Sequence, residues 1–136
     1  MEDKNKKERL TPAEWIVMNA LWEQSPMTLS ETIARIGERA SWNYKTFAAY
    51  LSILEKKGFI SAHKRGRDKF YYPLVSRQEC IERESRSVVS KIEAGSVKLM
   101  VTSMVRAGNL PPEERRELLR MLEQMLHEEE QNEDHR

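Results

Sequence analysis

The stretch NYKTFAAYLSILEKKGFISAHKRGRDKFYYPL, residues 43–74, changes its hydrophobic period half-way along. Phe47, Tyr50, Leu51 and Leu54 recur at the 3.6-residue spacing of a helix running from Tyr44 to Lys57. Asn43 or Ser41 can cap its start. Lys56-Lys57-Gly58 closes it, because cations suit the negative end of the helix dipole and glycine accepts a left-handed turn. Two short β-favouring runs follow, Phe59–Lys64 and Lys69–Leu74, around Arg65-Gly66-Arg67-Asp68. They read as a hairpin with a basic, glycine-containing tip, which is marginal in water unless packed on something else.

Two further helices precede this stretch. Thr11-Pro12-Ala13-Glu14 combines a capping box with proline at the first helical position, and Trp15, Met18 and Trp22 then share a core-facing stripe up to the stop at Ser25-Pro26. Thr28-Leu29-Ser30-Glu31 is a second capping box, followed by Leu29, Ile33 and Ile36 at helical spacing and by Gly37 near the helix end. Three helices and a hairpin, in that order, make a winged helix-turn-helix. The fold class expected is mainly α with a small β-hairpin, continued by a C-terminal helical dimerisation arm.

The arm opens at a third capping box, Ser76-Arg77-Gln78-Glu79. Its first helix is expected to run to Ala94, with Gly95 ending it and Ser96 capping the next, and Asn109-Leu110-Pro111-Pro112 breaks the chain again. Val88, Val89 and Ile92 form the first apolar stripe. Met100, Val101, Met104 and Val105 form the second, and Leu118, Leu119, Leu122, Met125 and Leu126 the third. A head of some 75 residues cannot cover so many, so burial against a second copy, a two-fold homodimer, is expected. The organisation read from the chain is a polar tail over 1–9, a winged helix-turn-helix over 10–75, a helical dimerisation domain over 76–130 and an acidic tail over 131–136.

Charge separates along the same lines. The chain of 136 residues is 33% charged with a formal net charge of only +1. Ser41 to Lys69 nevertheless carries seven cations against two anions, and Asn109 to Arg136 four cations against nine anions. A basic block beside an acidic one points to one face for a polyanion. A helix-turn-helix sets the start of its second helix in the major groove. The residues expected to meet DNA are therefore Asn43, Tyr44, Lys45, Thr46, Ala49 and Tyr50 on the helix, with Lys64, Arg65, Arg67 and Lys69 on the wing. The middle of the helix holds no Arg, Asn or Gln for paired base contacts, which leaves Ala48 or Ala49 to touch a thymine methyl and Ser52 to make a lone hydrogen bond.

Other classes of function find little support. No run of about 18 apolar residues is present, so no membrane insertion is expected. The N-terminus MEDKNKKERL lacks the apolar stretch of a secretion signal, and a lone Cys80 fits a reducing cytoplasm. His63, His127 and His135 are scattered, with no zinc-protease motif or phosphate loop, so neither an enzyme, a metal site nor a cofactor is expected. The rival reading is a winged-helix module that binds a protein partner and no specific DNA.

With helices, wing and arm in place, the chain resembles the BlaI/MecI penicillinase-repressor family over residues 10–127. Leu10-Thr11-Pro12-Ala13-Glu14-Trp15, Val17-Met18, Leu21-Trp22, Lys45-Thr46, Leu54-Glu55-Lys56-Lys57-Gly58-Phe59-Ile60 and Tyr71-Tyr72-Pro73-Leu74-Val75 carry the likeness. The resemblance implies a cytoplasmic homodimer that represses by covering double-stranded operator DNA with dyad symmetry. It further implies derepression when a sensor-linked protease triggers cleavage in the arm. The best-known members are cut at an Asn-Phe bond, and the bond at the corresponding place here is Ser103-Met104. Where the family carries a basic or hydroxyl residue after Lys-Thr, this chain has Ala48 and Ala49, so an operator of its own is expected.

Overall fold

The computed structural model describes residues 9–134; the polar tail up to residue 8, His135 and Arg136 lie outside the described residues. The chain forms two compact units that divide between Val88 and Val89.

In the first unit, α1 (Pro12–Glu23), α2 (Leu29–Ile36) and α3 (Tyr44–Lys57) precede β1 (Ile60–Arg65) and β2 (Asp68–Pro73), and α4 (Arg77–Lys91) leads across the division. Each start follows from its cap. Thr11, Thr28 and Ser76 accept from the N–H three residues on, at 3.0–3.2 Å, while Glu14, Glu31 and Glu79 reach back to the cap N–H groups. Asn43, not Ser41, caps α3. At the other end of α3, Gly58 takes φ +84°, the left-handed conformation, and lets Phe59 N–H bond back to the Leu54 carbonyl.

Val17, Met18, Leu21, Met27, Ile36, Phe47, Leu51, Leu54, Phe59, Ile60 and Cys80 form the core of this unit. Trp15 and Trp22 stand edge to face, 5.9 Å apart, at its margin. The indole N–H of Trp22 donates to the Val75 carbonyl at 2.9 Å, which ties the end of α1 to the chain leaving the wing. The hairpin is antiparallel, with Ile60 opposite Pro73 and Arg65 opposite Asp68. Its turn is therefore shorter than the sequence implied, only Gly66-Arg67, and Gly66 at φ +64° fits the first central position of a type II′ turn. Met27 adds a one-residue bridge to Tyr71, with bonds of 3.0 and 2.8 Å in the two directions, so the wing is pinned to the α1–α2 connection.

The second unit contains a 3₁₀ turn (Ala94–Ser96), α5 (Val97–Ala107) and α6 (Pro112–Asp134). Two expectations for this region fail. The helix from Arg77 stops at Lys91 instead of Ala94, and Ser96 makes no side-chain cap. Ser96 already has helical φ and ψ (−90°, −7°), so its hydroxyl is not aimed along the helix as an extended cap residue's would be. At the other end α6 continues to Asp134, into the stretch read as an acidic tail. Among the described side chains, none from Val89 onward is buried.

Candidate nucleic-acid interface

One face of α3 belongs to the core and the other to solvent. Phe47, Leu51 and Leu54 are buried, while Lys45, Ala49, Ser52, Ile53 and Lys56 are exposed at helical spacing. At the start of the helix Tyr44 is 62% exposed. The Asn43 side-chain oxygen accepts from Thr46 N–H at 2.9 Å and from the Thr46 hydroxyl at 3.0 Å. Asn43 therefore keeps only its amide N–H groups to offer a ligand, and Thr46 only its oxygen lone pairs.

Tyr50 stands differently from the expectation that it extends the exposed face. It is half-buried, with its ring 4.7 Å from that of Trp42, which also packs 5.0 Å from Phe47. The helical period had already put position 50 with 47, 51 and 54 on the inner side.

The end of α3 is fixed by charge. Lys57 Nζ donates to Glu14 Oε1 at 2.8 Å and to the Arg9 carbonyl at 3.3 Å. Glu14 is 2% exposed, and the same oxygen accepts the Thr11 N–H at 2.8 Å. One buried carboxylate thus caps α1 and anchors the last turn of α3. Taking both charges out of water is costly unless each finds partners, and here each does.

On the wing, Lys69 pairs with Glu55 of α3 at 3.1 Å and lies over the Tyr71 ring at 5.3 Å. The hydrogen bond to Glu55 raises the Lys69 pKa above its usual value. Lys69 was expected to face DNA; its ammonium is instead engaged between wing and helix. By contrast Lys45, Lys56, Lys64, Arg65 and Arg67 form no ion pair among the described residues, and all five are exposed. On the hairpin face opposite to Lys64 and Lys69, which also carries Arg65, His63 stacks near Phe70 and Tyr72, 5.9 and 5.7 Å away. Ile53 and Lys56 join this exposed face beyond the residues expected to meet DNA. The signal was present, because steps of four, seven, eight and eleven residues from Lys45 trace one helical stripe.

The arm residues lie where one copy of the chain leaves them uncovered. Val89, Val101, Met104, Leu119, Leu122, Met125 and Leu126 are exposed, and Val88, Ile92, Met100, Val105 and Leu118 are half-buried. Met121, 52% exposed, lies with them as an arm methionine, and Leu99, 66% exposed, joins them unforeseen. Ser103 is also exposed, beside Met104 on α5.

The sequence profile of the penicillinase repressor family matches residues 10–124. The chain belongs to this family. It is a DNA-binding transcriptional repressor of the penicillinase-repressor type, with a winged-helix head, and not an enzyme. It is 31% identical to the penicillinase repressor of Bacillus licheniformis over 85% of this chain and 91% of that one. The identity to the methicillin resistance regulatory protein MecI of Staphylococcus aureus is 30%, over 87% of this chain and 96% of MecI. Among solved structures, the DNA-binding domain of the repressor BlaI aligns at 31% identity with a TM-score of 0.47, covering 52% of this repressor and 85% of that domain. Among the described residues no helix of this repressor is long and apolar enough to cross a membrane, and no group of three metal-ligating side chains assembles.

Proposed function

We propose that this repressor acts in the cytoplasm as a homodimer on an inverted-repeat operator, each head placing α3 in the major groove and its wing on the flanking backbone. The observation that carries the reading is the set of exposed cations on α3 (Lys45 and Lys56) and on the wing (Lys64, Arg65 and Arg67), which no carboxylate among the described residues neutralises. Asn43, Tyr44 and Thr46 frame the entry of the helix, where N–H, hydroxyl and lone-pair groups suit phosphate and sugar contacts. Lys69 and Tyr50 support this face from behind.

Dimerisation is supported by the second unit's lack of an interior. A unit in which no described side chain is buried cannot be held together by its own burial, whereas each leucine or methionine sequestered at an interface gains about 1.5–3 kcal/mol. Two heads on one dimer then bind two half-sites with a raised effective concentration. Relief of repression is assigned to proteolysis at Ser103-Met104, triggered through a sensor-linked protease, because that cut would sever α6 from the head.

Selection of duplexes from a random pool, repeated at low and moderate salt, tests the reading. An inverted repeat should be enriched, and its affinity should fall steeply with salt as phosphate counterions are released. Failure to enrich any duplex, with weak binding at every salt, would leave the rival protein-binding module as the better account of the same surface. For the proteolytic step, induced cells should contain a fragment beginning at Met104.

A further inference from the structure

Building on the repressor reading, we propose that Ala49 and Ile53 are specificity-determining residues of α3 and that they read thymine methyl groups in the major groove. Both side chains are exposed, Ile53 by 42%, on the stripe that begins at Lys45 and ends at Lys56. Eleven residues at 1.5 Å each set those two lysines about 16 Å apart along the helix. The groove is about 12 Å wide. The lysines thus suit the phosphates at the two walls, and the apolar positions between them fall over the base edges.

Between the two lysines this stripe has no side chain for paired contacts to a base edge. No Arg, Asn or Gln occurs from Tyr44 to Lys57. Asn43, immediately before, has its acceptor oxygen occupied by both Thr46 groups, so it cannot present the donor–acceptor pair that adenine requires. Ser52 offers one hydroxyl. Of the four bases only thymine shows an apolar group in the major groove, and alanine and isoleucine side chains have only apolar surface to offer it. Residues four apart on a helix have Cβ atoms about 5–6 Å apart, which matches bases one or two steps apart.

The test uses the full-length protein and the duplex it enriches most strongly from a random pool, remade with deoxyuridine at each thymine in turn. This removes one methyl and keeps every hydrogen-bonding group. Affinity should drop about fourfold at one or two thymines of each half-site, the equivalent of about 0.8 kcal/mol per methyl, and stay level at the rest. Ile53→Ser and Ala49→Gly should each erase the loss at one of those thymines. The quantity compared is the thymine-to-deoxyuridine affinity ratio within one variant, which cancels any general weakening of the helix by glycine. Indifference to deoxyuridine throughout a tightly bound, enriched duplex overturns methyl reading and leaves the repressor reading standing. A loss that persists in both variants, or an enriched half-site without thymine, overturns the assignment to these residues. If nothing is enriched, the repressor reading falls and this inference with it.

Discussion

Glu14 joins two elements far apart in sequence through a single carboxylate oxygen. Glu14→Gln keeps an acceptor for the cap but leaves the Lys57 ammonium, 19% exposed, without its counter-charge. The expected cost is about 3 kcal/mol, read as a lowered urea midpoint at unchanged slope, and adding Lys57→Met should recover much of it. The capping role of Glu14 was legible in Thr11-Pro12-Ala13-Glu14; its pairing with Lys57 was not, since only tertiary folding brings residues 43 positions apart together. Cys80 makes a second prediction. Its thiol is 3% exposed, and burial raises its pKa above the ordinary value. The native state therefore holds a proton that the unfolded chain releases. That contribution to stability is complete below the unfolded thiol's pKa of about 8.5 and is lost as pH rises past it. Labelling by a disulfide reagent at pH 7 should be slow in the native protein and fast in urea; equal rates would contradict a packed thiol.

At the scale of elements, the wing places Lys64 directly opposite Lys69, a like-charged pair that would loosen the hairpin by itself. Glu55 offsets this repulsion. Because the raised Lys69 pKa belongs to the folded state, the stabilisation is fully present below the unfolded lysine's pKa of about 10.4 and is lost as pH climbs through the raised value. With the two side chains 42% and 36% exposed, it amounts to less than about 1 kcal/mol at neutral pH. Glu55→Gln should accordingly cost little stability while releasing Lys69 toward phosphate. Binding to random-sequence DNA should tighten, and the logarithmic salt slope should steepen by about 0.9; an unchanged slope would show that Lys69 stays on the wing. The hairpin was readable from alternating residues around a glycine, apart from its turn length. The Met27–Tyr71 bridge left no mark, because a one-residue strand between Pro26 and Thr28 has no period to detect.

For the whole molecule, the arm's stripes were legible as helical repeats, and the structure adds that one chain buries no described side chain from Val89 onward. Leu122→Asp with Met125→Asp should produce a monomer by sedimentation, with reduced helical circular dichroism and poor operator binding. A variant that stays dimeric would remove α6 from the interface. The breaks within the arm were less legible: the helix ends at Lys91, ahead of Gly95, and Ser96 belongs to a 3₁₀ turn instead of capping α5, because glycine and serine fit such a turn as well as a stop and a cap.

Trp42 has a consequence of another kind. It sits against Phe47 and Tyr50, one residue before the cap of the helix assigned to the groove, while Trp15 and Trp22 pack against each other on α1. The protein therefore carries an intrinsic fluorophore beside the helix proposed to enter the groove, and engagement of an operator there should change the tryptophan emission without an attached dye.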